Sequence, residues 1–320
     1  MSPATHSDAS QSQRLEVLKT YKLYINGAFP RSESGRSLAI QRAHGEVIAQ
    51  VSHGSRKDLR DAVEAASAAQ PKWAAATAYN RGQVMYRMAE MLEGKREEFI
   101  AALGSTSKSR KVERRKAKSS NRRIAKSPDP VAEVNAAIDR LVCFAGWADK
   151  YAQVLGGNNA VAGPYYNFTV PEPTGVVGIV TPPETNGPAL LGLISLLAPP
   201  LCAGNSIVAL ADEHAMLPAA ILGEVCATSD VPPGVINIIT GKRPELIDHL
   251  ARHRAVNAIG SANLSRDEST ILKMGVAENL KRVRIMKIAP DDWFDSSVCE
   301  SPWMIEPFVE MKTIWHPSAT

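Results

Sequence analysis

No stretch of this sequence is both long enough and apolar enough to span a bilayer. The longest, 189–203, falls short of the ~20 residues a span needs, and Pro199-Pro200 interrupts it. No membrane association is expected. The first 20 residues hold no continuous apolar run, so no secretory signal is expected either. Cysteine is scarce and scattered: Cys143, Cys202, Cys226 and Cys299 form no C-x-x-C and no His/Cys cluster at metal-ligand spacing. No metal site is expected, and a reducing, cytoplasmic setting fits best. Asn167-Phe168-Thr169 matches a glycosylation sequon, which is idle without a secretory route. No G-x-G-x-x-G occurs anywhere, so the ordinary dinucleotide fingerprint is missing.

What is present is the material of a globular body. The 320 residues are 44% hydrophobic and 22% charged, enough for a sizeable core. The formal charge of +4 misleads as an average. Between Ser105 and Ser127 stand ten Lys or Arg and one acid, Glu113, so everything else carries −5. That stretch has only Val112 and Ile124 as large apolar residues. It reads as a basic flexible loop over 105–130, closed by Pro128 and Pro130.

Along the chain, residues 1–20 read as a disordered tail. Tyr21–Pro30 is a strand signal with an Asn26-Gly27 turn. Ser55-Arg56-Lys57-Asp58 is a capping-box pattern, and a helix follows it to about Gln70. A second amphipathic helix is expected over 80–103, and a third from Val134 toward Gly156-Gly157. From Gly175 short apolar runs take over: Gly175–Val180, Ser206–Leu210, Val235–Ile239 and Ala255–Ile259. Helical segments near 189–201, 217–228 and 244–253 separate them. This alternation predicts an α/β fold, a Rossmann-like doubly wound parallel sheet covered on both faces. Its ligand crevice would lie at the carboxyl ends of the strands.

Several segments resemble those of aldehyde dehydrogenases, in the family's order. They are LYINGAF (23–29), the helical stretch 55–93, PEPTGVVGIVTP (171–182), APPLCAGNSIVAL (198–210) and VPPGVINIITG (231–241). FVEMKTIW (308–315) is similar to the family's terminal strand, and 160–172 to the strands beside it. The resemblance implies a cofactor-type domain from 21–104 and 131–264, with oligomerisation strands at 160–172. A remnant of the catalytic domain, plus the terminal oligomerisation strand, would fill 265–320. The chain looks like the nucleophile-free second module of tandem aldehyde dehydrogenases and its small stand-alone bacterial relatives.

Carried over residue by residue, the resemblance implies little intact chemistry. The family's Gly-Gln-x-Cys and Leu-Glu-Leu-Gly-Gly strings are absent. That leaves Cys299, beside Glu300, as a substitute nucleophile, and Asn186 in the loop 182–188 as a substitute oxyanion donor. Glu300 would raise the Cys299 pKa, and Cys299 reads more readily as a half-buried or surface thiol. The family's cofactor-binding positions fall on Ile179, Val180, Thr181, Glu213, Gly241, Gly260 and Ser261, with Leu210 where the ribose-holding Lys belongs. A helix N-terminus after Ser261 retains the means to bind an anion through free amides. NAD or NADP is therefore a doubtful cofactor, and an inactive structural or regulatory subunit is the leading expectation. Its partner would be a second copy, or a catalytic aldehyde dehydrogenase subunit, reached through Phe308–Trp315. Competing readings are an active NAD(P)-dependent oxidoreductase using Cys299, and nucleic-acid or acidic-partner binding through 105–127. With no aromatic for base stacking, that segment offers only phosphate attraction. It is also open to being misread coding sequence.

Overall fold

A computed structural model describes residues 17–42, 44–105, 128–183, 187–211 and 213–318. Most of the sequence's N-terminal tail and of its basic loop lies outside them.

The centre is a five-stranded parallel sheet built from β6 (Val176–Val180), β7 (Ser206–Ala211), β8 (Ile236–Thr240), β9 (Ala258–Ala262) and β10 (Arg282–Met286). Its strand order is β10-β9-β6-β7-β8. Every residue of β6 to β9 is buried, as continuous apolar runs require when helices cover both faces. On one face lie α1 (Arg56–Ala75), α8 (Arg243–Arg252) and α9 (Arg266–Ala277). On the other lie α2 (Ala78–Gly94), α4 (Pro130–Trp147), α6 (Leu190–Cys202) and α7 (Met216–Thr228). The order reverses between β6 and β9, the switch point at which open sheets of this kind place a ligand crevice.

Smaller sheets flank this core. β1 (Thr20–Tyr21), β3 (Val47–Ser52) and β2 (Ser37–Gln41) form one. Tyr24 exchanges backbone bonds of 3.1 and 2.7 Å with Ile238, covering the outer edge of β8. The Asn26-Gly27 turn that follows needs two left-handed residues, with φ of 52° and 73°. The other small sheet has the order β11-β5-β4, from β11 (Val309–Pro317), β5 (Tyr165–Pro173) and β4 (Gly157–Asn159).

Several boundaries differ from the sequence reading. The expected helix over 80–103 is two: α2 ends at Gly94, a turn falls at Lys95, and α3 runs from 96 to 105. Lys95, at the break, binds Glu98 and Glu224 at 2.8 and 2.7 Å. The helix expected to end near Gly156 also divides, α4 stopping at Trp147 before the short α5 (Tyr151–Leu155). The last apolar run forms strand three residues later than Ala255–Ile259 suggests. The Asn257 side chain is used to accept the Val176 amide at 2.8 Å, and the strand starts only after it. The Ser55–Asp58 capping box is present as read. Asn167 of the sequon is buried and bonded to Asn159. No helix among the described residues is long and apolar enough to cross a membrane.

Lys281 is a buried cation at the start of β10, donating to His253 O at 2.6 Å. Burial pulls its pKa from 10.5 down to about 8. Between those values the unfolded chain holds the proton that the folded chain has released, so stability rises with pH. Melting temperatures of the native chain and Lys281→Met should therefore converge, or cross in the native chain's favour, as pH goes from 7 to 9.5. A gap constant with pH would show that Lys281 is solvated.

Candidate functional site: the crevice at the sheet's switch point

The positions singled out at the carboxyl ends of the strands do gather at one end of the sheet, but their side chains are turned to internal use. Ile179 and Val180 alternate into the two cores. The Thr181 hydroxyl reaches Leu210 O at 3.3 Å, and its amide bonds the same carbonyl at 3.2 Å. The Ser261 hydroxyl donates to Val180 O at 2.8 Å. Leu210 is fully buried, whereas Glu213, just past β7, is exposed. Gly241 donates its amide to Ala211 O, and a Cβ there would meet Leu246 at 3.2 Å. At Gly260 the missing side chain makes room for Phe308, whose ring would lie 2.9 Å from a Cβ. Asn186 lies outside the described residues.

Two helices begin at this end beside the switch point, α6 after β6 and α9 after β9. Unpaired amides at such N-termini favour a negative charge. At each, the chain supplies its own carboxylate. Glu133, buried on α4, accepts the Leu190 and Leu191 amides at 2.7 and 3.3 Å. At α9 the cap residue Ser265 and Glu268 form a reciprocal box of 3.2 and 3.0 Å. Of the amides after Ser261, those of Ser265 and Glu268 are thus engaged within the chain.

Across the crevice lies Arg243, a buried residue at the start of α8. Its Nη1 meets Glu268 Oε1 at 2.8 Å and its Nη2 donates to Thr181 O at 2.8 Å. One guanidinium therefore ties α8, α9 and the end of β6 together. Burial pushes the Glu268 carboxyl up, but hydrogen bonds from Arg243 and Ser265 outweigh this and hold it below the usual carboxylate range.

Cys299 stands elsewhere. It is fully buried in the core on the opposite face of the sheet, in the short helix α10 (Ser296–Cys299). It is not the half-buried or surface thiol that the sequence suggested. Burial pushes its pKa up, only partly offset by the Arg140 guanidinium beside it. Adjacent Glu300 is not the cause, because its carboxylate turns to Arg140 Nε at 3.3 Å. Arg140 also donates to Ser195 Oγ and, at 2.9 Å, to Trp293 O. Trp293 in turn packs under Gly187. The segment 288–308 is thereby pinned to α4 and α6. The remaining thiols offer no better nucleophile: burial raises Cys143 and Cys202, and pushes Cys226 up to about 12. Among the described residues no group of three metal-ligating side chains occurs.

Sequence reasoning passed over Arg243, Glu268, Glu133 and Arg140. The Ser265-x-x-Glu268 spacing is a capping signature that could have been read. The other three look like ordinary solvent-facing charges on amphipathic helices.

A model of the aldehyde dehydrogenase family matches residues 29–285. The retinaldehyde dehydrogenase 3 of Mus musculus is 32% identical over 282 residues, covering 85% of this chain and 50% of its own length. A mitochondrial aldehyde dehydrogenase of Rattus norvegicus is 27% identical over 307 residues, covering 95% and 55%. A betaine aldehyde dehydrogenase of Staphylococcus aureus, solved with NAD+, superposes with a TM-score of 0.70 at 24% identity, over 83% of this chain and 50% of that one. The chain spans about half the length of the curated relatives it matches.

Proposed function

Since the chain belongs to the aldehyde dehydrogenase family, we propose that it is a member without catalysis of its own, serving as a structural or regulatory subunit of an aldehyde dehydrogenase oligomer. The observation that carries this reading is the state of the switch-point crevice. Carboxylates of the chain sit at both helix N-termini, and the Arg243–Glu268 pair bridges the gap between α8 and α9. A dinucleotide brings its own anionic pyrophosphate and would have to displace them. Leu210 presents no charge to a ribose, and Phe308 fills the space at Gly260. The residues present do not fit NAD or NADP. Nor does Cys299 offer a thiolate, being buried with its pKa raised.

The subunit role draws its support from the three-stranded sheet. β11 is an edge strand of nine residues, and Tyr165, Tyr166, Met311 and Trp315 are exposed on and around it. Such an edge, with exposed aromatics, is a liability unless something covers it.

Titration of the purified chain with NAD and NADP should give no heat of binding at concentrations up to about 1 mM. No aldehyde oxidation should be detected with either. Micromolar dinucleotide binding would overturn the reading. So would turnover of roughly 1 per second or more that disappears in Cys299→Ser.

A further inference from the structure

A cavity of about 590 Å³ opens at the carboxyl end of β8, between the starts of α1 and α8. It is separate from the gap between α8 and α9 that Arg243 and Glu268 bridge. Its size is that of a small-molecule site, roughly 300–1,000 Å³. The backbone builds it. Gly54 donates its amide to Thr240 O at 2.8 Å, and Thr240 Oγ1 donates to Ser52 O at 2.6 Å, so the end of β3 is stitched to the end of β8. A side chain on Gly54 would break this seam, because its Cβ would meet Ile239 at 2.5 Å. The first turns of α1 and α8 are thereby brought to one space.

Pairing the charges that line this cavity leaves a cation over. Arg36 takes Glu245 at 3.3 Å and Lys57 takes Glu33 at 3.5 Å. Arg56, exposed in the first turn of α1, has no ion pair among the described residues, and neither has Lys242, the exposed cap residue of α8. The capping box engages the Ser55 and Asp58 amides, while those of Arg56 and Lys57 make no bond among the described residues. Free first-turn amides beside an unpaired guanidinium suit a phosphate. The opposite wall has another chemistry. His53 is buried, 4% exposed, and turns its Nε2 toward Glu245. Burial pushes its pKa below the ordinary value, so the ring is neutral at pH 7 and its 3.3 Å approach to Glu245 Oε2 is no ion pair. Nε2 makes no hydrogen bond, although a buried polar atom ordinarily has one. A carboxylate that accepts, next to an imidazole without a partner, suits hydroxyl groups rather than a second anion. The geometry points to a small sugar phosphate as the ligand of this cavity, its phosphate at the first turn of α1 with Arg56 and Lys242, its hydroxyls on Glu245 and His53. The site does not depend on the subunit reading above.

Calorimetric titration of the full-length chain with ribose 5-phosphate, inorganic phosphate and ribose tests this. Ribose 5-phosphate should bind with a dissociation constant below about 1 mM, and inorganic phosphate about tenfold more weakly. Ribose alone should give no heat. Arg56→Gln/Lys242→Gln should weaken ribose 5-phosphate at least about tenfold, since it removes two charged donors to the phosphate. Both side chains are exposed, so circular dichroism and melting should stay as they are. His53→Phe should bring ribose 5-phosphate down to the affinity of inorganic phosphate and leave the latter unchanged. No heat with ribose 5-phosphate up to about 10 mM would overturn the site. So would equal affinities for ribose 5-phosphate and inorganic phosphate in the native chain, or binding unchanged in Arg56→Gln/Lys242→Gln. Binding that survives that double variant and disappears in Arg243→Met would put the ligand in the switch-point crevice instead, and would overturn it too.

Discussion

Arg140→Met should lower the stability of the chain by about 3–5 kcal/mol, the cost of breaking a buried, hydrogen-bonded charge site. At about 2–4 °C per kcal/mol, that is a fall in melting temperature of roughly 6–20 °C. The side chain is only 1% exposed, and three groups lose their donor with it: Ser195 Oγ, Trp293 O and the Glu300 carboxylate. Methionine fills comparable volume but satisfies none of them. The damage should be local before it is global, because Arg140 is what holds 288–308 against α4 and α6. Cys299 reports on this directly. In the native chain its burial should make it slow toward a thiol reagent, and in Arg140→Met the labelling rate should rise at least tenfold. Unchanged labelling, with unchanged melting, would mean that the apolar anchors Trp293, Ile305 and Phe308 suffice alone.

Arg243→Met carries the second large effect, about 2–4 kcal/mol, since Glu268 keeps some solvent and can be partly rehydrated. The loss should depend on pH. Glu268 has a folded pKa below its ordinary value of 4.5, so the stability it contributes is present above that value and lost as pH falls through the folded pKa. The native chain and Arg243→Met should therefore converge in melting temperature toward pH 3. Restoring part of the loss with Arg243→Met/Glu268→Gln would locate the cost in the uncompensated carboxylate. If the single variant melts with the native chain at pH 7, the bridge holds nothing together.

The parts of this structure that follow from local pattern were legible. Runs such as Val176–Val180 and Ser206–Ala211 can only be central strands, since a chain of that composition buries both faces. Capping chemistry at Ser55 was equally readable, being contained within four residues. What escaped depends on partners remote in sequence. Arg243 opens a helix with Pro244 and Glu245 after it and reads as a solvated charge. It is buried only because β6 and α9 arrive on either side of it. Glu133 likewise looks like a first-turn acid of α4, yet it serves the N-terminus of α6, 57 residues on. Cys299 misled for the same reason: its neighbour in sequence, Glu300, is not its neighbour in charge.

The pairing of β11 with β5 has a consequence for synthesis. Lys312 meets Glu172 across 140 residues of chain, and the Thr313–Thr169 bond spans 144. At about 5–20 residues per second, a ribosome takes on the order of ten seconds or more to deliver the second strand after the first. Throughout that interval β5, with Tyr165, Tyr166 and Phe168, has β4 on one side and nothing of its own on the other. The nascent protein therefore carries a sticky half-built ribbon until the residues of β11 emerge, and a chaperone that shields extended segments has most to do then.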